Sequence, residues 1–255
     1  MPSDPPSDER TTPVPPPSPA LPARWVDDAG YWAAAVGLLA YLALGAVVQT
    51  HPRLPAVSLF LAGLVPLHLA AFGTALVVLF RRCPAGTRLR SLELAGGPLR
   101  PGQVLRRSAL VLLAAYPLAV ALTVVAVALV TRLGYRPEGS PMTALLLNQK
   151  GPFFWVVAVL GTLVLAPVAE EILFRLVLFD ILSPRLPAAE LVTTLLFAVA
   201  HQVPEELPGS FVLGLLLQRA RARHRTLWVP IVAHAGFNAV SLLLLLLVRF
   251  GHGFF

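Results

Sequence analysis

From residue 31 onward the chain alternates long apolar runs with short breaks rich in arginine and proline. Runs from Tyr31 to Val48, Ala56 to Phe80 and Val104 to Thr131 carry few charges, and each is long enough to cross about 30 Å of hydrocarbon at roughly 1.5 Å per residue. A fourth run starts near Pro152 or Phe153 and continues to Leu182, where Ser183-Pro184 stops it. A shorter fifth runs from Pro187 to His201, and Pro204 with Pro208-Gly209 closes that region. The sixth covers Phe211 to Gln218 and ends in Arg219, Arg221, Arg223 and Arg225. The seventh begins at Leu227-Trp228 and ends at Val248-Arg249. Between the third and fourth runs, Leu133 to Gly151 is mixed, and Met142 to Leu147 predicts a short interfacial helix. The pattern predicts an all-α, polytopic transmembrane bundle of about seven spans, with any chemistry in the last four.

Residues 1–24 break this pattern. Pro5-Pro6, Pro13 and Pro15-Pro16-Pro17 stand among Ser, Thr and Asp, a composition that cannot bury enough apolar surface to fold. The segment is read as a disordered tail. It lacks the basic start, apolar core and small-residue cleavage site of a secretory signal. Three regions follow: the tail at 1–24, N-terminal transmembrane helices over 25–150, and a catalytic transmembrane core over 151–255.

Composition agrees: 56% of the 255 residues are hydrophobic and only 13% charged, with a mean hydropathy of +0.74, far from soluble-domain values. The net charge of +7 arises from 20 Lys+Arg against 13 Asp+Glu. The arginines lie between apolar runs and not on one basic face, which excludes a nucleic-acid footprint. Cys83 is the only cysteine, so neither an intrachain disulfide nor a multi-cysteine zinc site is available. Arg81, Arg82, Arg88, Arg90, Arg100, Arg106 and Arg107 follow the second run, and Arg219 to Arg225 follow the sixth. Four helices separate the two groups, which puts both on one side, the cytoplasmic one by the positive-inside rule. The N-terminus is then cytoplasmic and the C-terminus outside, against the weaker external charges of Arg132, Arg136 and Lys150. The expected location is a multi-pass position in a membrane, taken to be a bacterial plasma membrane.

Against this apolar background the stretch Pro167-Val168-Ala169-Glu170-Glu171-Ile172-Leu173-Phe174-Arg175 is anomalous. Ionisable groups at membrane depth cost several kcal/mol and mark function by default. Residues four apart share a helical face, so Glu171 is expected to pair with Arg175 while Glu170 turns elsewhere and stays free. Pro167, lacking an N–H, should leave the Leu163 carbonyl unpaired and kink the helix. Two further polar groups interrupt apolar helices: His201, and His234 with Asn238 on one face. At about 1.5 Å per residue, Glu170 lies roughly 18 Å in from Leu182, His201 roughly 20 Å in from Pro187, and His234 roughly 12 Å in from Thr226. A carboxylate, two imidazoles and an amide at similar depth suit hydrolysis. Glutamate takes a proton from water, histidine holds the water, and N–H donors stabilise the oxyanion. Singly, each group has a structural reading: a self-neutralising Glu-Arg pair, packed histidines, a His-Asn pair gluing helices. His68 is read as packing and His224 as solvated.

In order, Glu170-Glu171-x-x-x-Arg175, Phe197-x-x-x-His201 and His234-x-x-x-Asn238 resemble the three motifs of the CPBP family, which contains the CAAX prenyl proteases and the bacteriocin-processing or self-immunity (Abi) proteins. The approach Leu227-Trp228-Val229-Pro230-Ile231-Val232-Ala233 to His234 is similar as well. The resemblance covers about residues 150–245. It implies that Glu170 is the base on a water also held by His201, that His234 and Asn238 are oxyanion donors, and that Glu171 pairs with Arg175. It also implies a membrane-embedded or lipidated peptide or protein as substrate, with the bilayer and no nucleic acid as partner. Gln218 and His224-Arg225 depart from the Gly-rich helix and Thr-Gly turn common in relatives. Zinc on His201, His234 and Glu170 is the metalloprotease alternative, but no helix carries two histidines as a rigid half-site, and a metal-free glutamate mechanism is favoured. His-Glu-x-x-His, Gly-x-Gly-Asp and Gly-x-Ser-Gly are absent, which removes other intramembrane protease plans. The rivals are a proton- or cation-coupled transporter, disfavoured by the lack of an internal repeat in the motif-bearing half, and a non-catalytic scaffold.

Overall fold

The computed structural model describes residues 73, 93–94, 97–137, 139–149 and 151–251, and every regular element among them is helical. The spans expected over 31–48 and 56–80, the tail, His68 and Cys83 lie outside the described residues. Helix α1 is Pro101–Arg132, α2 is Pro141–Asn148, α3 runs Pro152–Leu182, α4 is Ala189–Ala200, α5 is Leu207–His224 and α6 is Trp228–Gly251. A single 3-10 turn, Pro204–Glu206, joins α4 to α5.

Local signals explain the ends. Pro101 opens α1 where no N–H is needed, and the Gln103 side chain reaches back to accept from the Arg100 N–H at 2.9 Å. At the other end Gly134 adopts φ +87°. Its N–H donates to Thr131, and that of Tyr135 to Val130. This paired C-terminal closure needs a left-handed residue that glycine adopts without penalty. Arg225, at φ 53°, closes α5 in the same region of backbone space.

Three helices, α1, α3 and α6, are long and apolar enough to cross a membrane. Where the fifth and sixth spans are expected, α4 has 12 residues, about 18 Å at 1.5 Å per residue, and α5 carries Arg219, Arg221 and Arg223 in its final turns. The two pack against each other as a helical hairpin. Its turn holds His201, which caps α4 instead of interrupting it, followed by Gln202 at φ 57°. Irregular backbone at depth is tolerated where protein surrounds it.

The burial pattern is inverted relative to a soluble protein. Leu105, Leu113, Val124, Val125, Phe153, Val156, Leu243 and Leu247 are exposed, whereas Glu171, Arg175 and His234 are 0%, 1% and 2% exposed. Apolar side chains outside and charges inside are what a lipid solvent demands. The core around the charges is Leu173, Phe174, Phe197, Leu213, Leu217 and Ala233. Helix α5 crosses α1 at Gly209, where an added Cβ would lie 2.7 Å from the Ala119 carbonyl oxygen.

Among the described residues, parts of the two arginine-rich segments meet at one end of the bundle. Arg221 donates to Glu93 at 2.8 and 3.1 Å, to Asp180 at 3.0 and 3.2 Å, and to the Arg175 carbonyl. Thr226 and Trp228 donate to the Glu93 and Leu94 carbonyls. The pKa of His224 is held below its usual value by partial burial and by the charges of Arg107 and Arg223. Arg221 is therefore a buried tie between α3, α5 and the segment before α1, whereas its neighbour Arg219 makes an exposed pair with Glu190 at 3.0 Å.

Candidate active site

Proline 167 shapes the helix that carries the glutamates. In an ordinary α-helix the proline ring clashes with the carbonyl four residues back. Here the preceding residues, Gly161–Leu165, form a wider π-helical turn in which the Ala166 N–H donates to the Gly161 carbonyl, five residues back. One residue on, the same register would pair residue 167 with Thr162, and proline has no proton to give. The Thr162 carbonyl thus lacks that donor, alongside the Leu163 carbonyl that the α-helical spacing predicts to be free. Asn238 Nδ2 donates to the Thr162 carbonyl at 2.9 Å. A second π-helical stretch, Glu171–Leu178, follows the short α-helical segment Ala166–Glu170. Such wide turns recur at functional sites, and here they bracket the carboxylates.

Glu171 is paired twice. Its Oε2 lies 3.2 Å from Arg175 Nε in an ion pair, as the spacing predicts, and its Oε1 accepts from His234 Nδ1 at 2.9 Å. The expectation that Arg175 alone neutralises Glu171 is extended by this second bond, because α6 brings His234 against α3. The His234 ring thus turns Nδ1 to Glu171. Its Nε2 faces Glu170, 3.8 Å from Oε2. The buried Oε2 atoms of Glu170 and Glu171 both lack a hydrogen bond within the protein, but that of Glu171 has the Arg175 guanidinium at 3.2 Å, so Glu170 is the carboxylate with the less committed oxygen.

Arg175 is held from three directions: by Glu171, by the Gly214 carbonyl at 3.4 Å, and by the Phe197 ring, whose centroid lies 4.1 Å from its guanidinium carbon. Gly214 makes this approach possible, since an added Cβ would stand 2.9 Å from Phe197 Cδ1 and 3.4 Å from Arg175 Nη2. Phe197 also packs edge-on against His201 at 4.8 Å, His234 at 5.7 Å and Phe174 at 5.4 Å between centroids. The His201 Nδ1 bonds the Phe197 carbonyl at 2.8 Å. A carbonyl only accepts, so the ring proton is on Nδ1, and Nε2 offers a lone pair.

The structure thus joins Glu170, Glu171, Arg175 and His234 in one cluster, packs His201 against the same phenylalanine, and gives Asn238 a backbone partner at Thr162. Sequence reasoning missed Phe197 as the hub, although its spacing from His201 was visible, and missed Thr162 and Gly214. Among the described residues no three His, Cys, Asp or Glu side chains are grouped to hold a metal ion. His201, His234 and Glu170 as placed do not fit a zinc site, and no step is derived through one.

No curated protein and no solved structure matches the chain. Residues 152–240 match the model of the family described as Type II CAAX prenyl endopeptidase Rce1-like. That interval runs from the start of α3 to two residues past Asn238, enclosing every candidate residue. Over residues 152–240 the chain is thus similar to the Rce1-like type II CAAX prenyl endopeptidases.

Proposed function

We propose that the protein is an intramembrane endopeptidase that hydrolyses a peptide bond of a membrane-embedded or lipidated substrate with a glutamate-activated water and no metal. One observation carries the reading. The buried Glu170 Oε2 makes no hydrogen bond within the protein and lies 3.8 Å from His234 Nε2. A water between the two can hydrogen-bond to both. Glu170 takes the proton as the water oxygen attacks the substrate carbonyl carbon, and the carbonyl π electrons move to oxygen. The same proton then goes to the leaving amine nitrogen as the C–N bond breaks, which returns Glu170 to its ionised form.

Glu171 and Arg175 act behind this pair. The Glu171 carboxylate holds the His234 ring through Nδ1 and so aims Nε2 at the water beside Glu170. The Nε2 of His201, whose ring packs against the same Phe197, is the second candidate to hold the water. The α4–α5 turn supplies that imidazole at a depth reached by water only through a protein-lined space, which suits hydrolysis inside a bilayer.

The test is a cleavage assay on purified full-length protein with a fluorescence-quenched peptide ending in S-farnesyl-Cys-Val-Ile-Met. Wild type is expected to cleave, with and without a chelator, and Glu170→Gln is expected to be inactive with an unchanged melting temperature. Full activity of Glu170→Gln overturns the choice of base. Activity lost on chelation and restored by zinc overturns the metal-free mechanism.

A further inference from the structure

Among the described residues, each acid at the arginine-rich end already has an arginine. Glu93 and Asp180 pair with Arg221, and Glu190 pairs with Arg219. That leaves Arg106, Arg107, Arg223 and Arg225 with no ion pair among those residues. Arg106, Arg223 and Arg225 are exposed and Arg107 is half-buried. The fold gathers them. The Ser108 hydroxyl donates to the Val229 carbonyl at 3.0 Å, which seats the first turns of α1 against the start of α6, and Arg107 and Arg223 are both electrostatic neighbours of His224.

Charges of one sign held together repel, and the positive-inside rule accounts for arginines at one end without requiring them to gather unpartnered. Arg225 sharpens the point, because it takes φ 53° at the close of α5, where glycine would sit without strain. The level in the membrane supplies a counter-charge. Leu105, Leu110 and Leu113 of α1 are exposed and face hydrocarbon beside Arg106 and Arg107. The exposed Trp228, whose indole donates to the Leu94 carbonyl at 2.9 Å, is an aromatic of the kind that membrane interfaces favour. Guanidinium groups at this boundary meet lipid phosphate oxygens, which they bind through paired N–H groups.

We propose that Arg107, Arg223 and Arg225, with Arg106 beside them, bind the headgroup of an anionic phospholipid where α1, α5 and α6 meet. A zwitterionic headgroup fits less well, because its ammonium returns a positive charge to the cluster. The exposed leucines of α1 take the acyl chains, which a free phosphate lacks. The inference is independent of the endopeptidase reading, since none of these arginines belongs to the glutamate–histidine cluster.

The experiment is native mass spectrometry of delipidated full-length protein in a neutral detergent, titrated with phosphatidylglycerol and with phosphatidylcholine of identical acyl chains. Wild type is expected to bind phosphatidylglycerol at least about 10-fold more tightly. Arg107→Gln/Arg223→Gln should lose that preference, and Arg107→Lys/Arg223→Lys should keep most of it. Arg132→Gln/Arg136→Gln removes the same charge at the opposite end of α1 and should leave it intact. Should the half-buried Arg107 prove necessary for folding, the exposed pair Arg223→Gln/Arg225→Gln is expected to lose the preference at a wild-type melting temperature. An equal loss in the Arg132/Arg136 variant would mean that net charge alone attracts the lipid, and the proposal would fall. Wild type without a preference overturns it as well. Inorganic phosphate that displaces the lipid at comparable concentration would overturn the lipid as occupant and leave a site for small anions.

Discussion

The two adjacent glutamates differ because one is wholly used by the protein and the other is not. Both Glu171 oxygens face cationic or donor groups, Arg175 Nε at 3.2 Å and His234 Nδ1 at 2.9 Å, in surroundings with no exposure. Removing one member of a buried pair strands the other charge, at a cost of about 3–5 kcal/mol. Glu171→Gln and Arg175→Ala should therefore lose stability, with Arg175→Ala the more severe because it also empties the face of Phe197. Thermal unfolding in detergent, followed beside Glu170→Gln, tests this. Equal melting temperatures for all three variants would contradict the division of roles. Legibility at this scale was uneven. The Glu171–Arg175 pair follows from a spacing of four, but the His234 bond joins residues 63 positions apart, and no local spacing encodes it.

At the scale of elements, the site depends on how closely α5 approaches α3 and α4. Gly214 sets that approach, and a methyl group there would meet Phe197 Cδ1 at 2.9 Å and Thr194 Cγ2 at 3.2 Å. Gly214→Ala should displace the ring that both histidines and Arg175 lean on, costing about 1–3 kcal/mol through overpacking and lowering kcat. Unfolding and cleavage measurements on the variant check it, and wild-type values in both would show that Phe197 can yield freely. Element ends were largely visible in the chain: Pro101, Pro152 and Ser183-Pro184 stand where helices begin or stop. The packing of α4 against α5 was not, because an apolar run of 12 to 15 residues reads alike as a short span or a buried helix.

For the whole molecule, topology follows from where arginine gathers. Arg107 and His224 are electrostatic neighbours, and Arg221 bonds Glu93, so the described parts of the two arginine-rich segments share one end, and the positive-inside rule leads us to propose that this end is cytoplasmic. In a Cys83→Ser background, single cysteines at Arg106 and Arg223 should both react with a membrane-impermeant thiol reagent only from the cytoplasmic side. Labelling of the two from opposite sides would break the orientation and the depth of Glu170 with it.

By itself the sequence determined the membrane character, the helical class, the ends of α1, α3 and α6, and the identity of the polar groups that converge. These depend on composition and on periodicity within one element, which physical chemistry reads locally: apolar length, proline position, the cost of a charge in hydrocarbon. Only the tertiary structure decided which glutamate keeps the less committed oxygen, that His234 stands between both carboxylates, that α4 turns back at His201, and that Asn238 bonds a backbone carbonyl. Each of these is a pairing between helices, where several donors and acceptors of similar chemistry compete. The outcome turns on register shifts such as the π-helical turn before Pro167, which moves one hydrogen bond by one residue and leaves no trace in hydropathy.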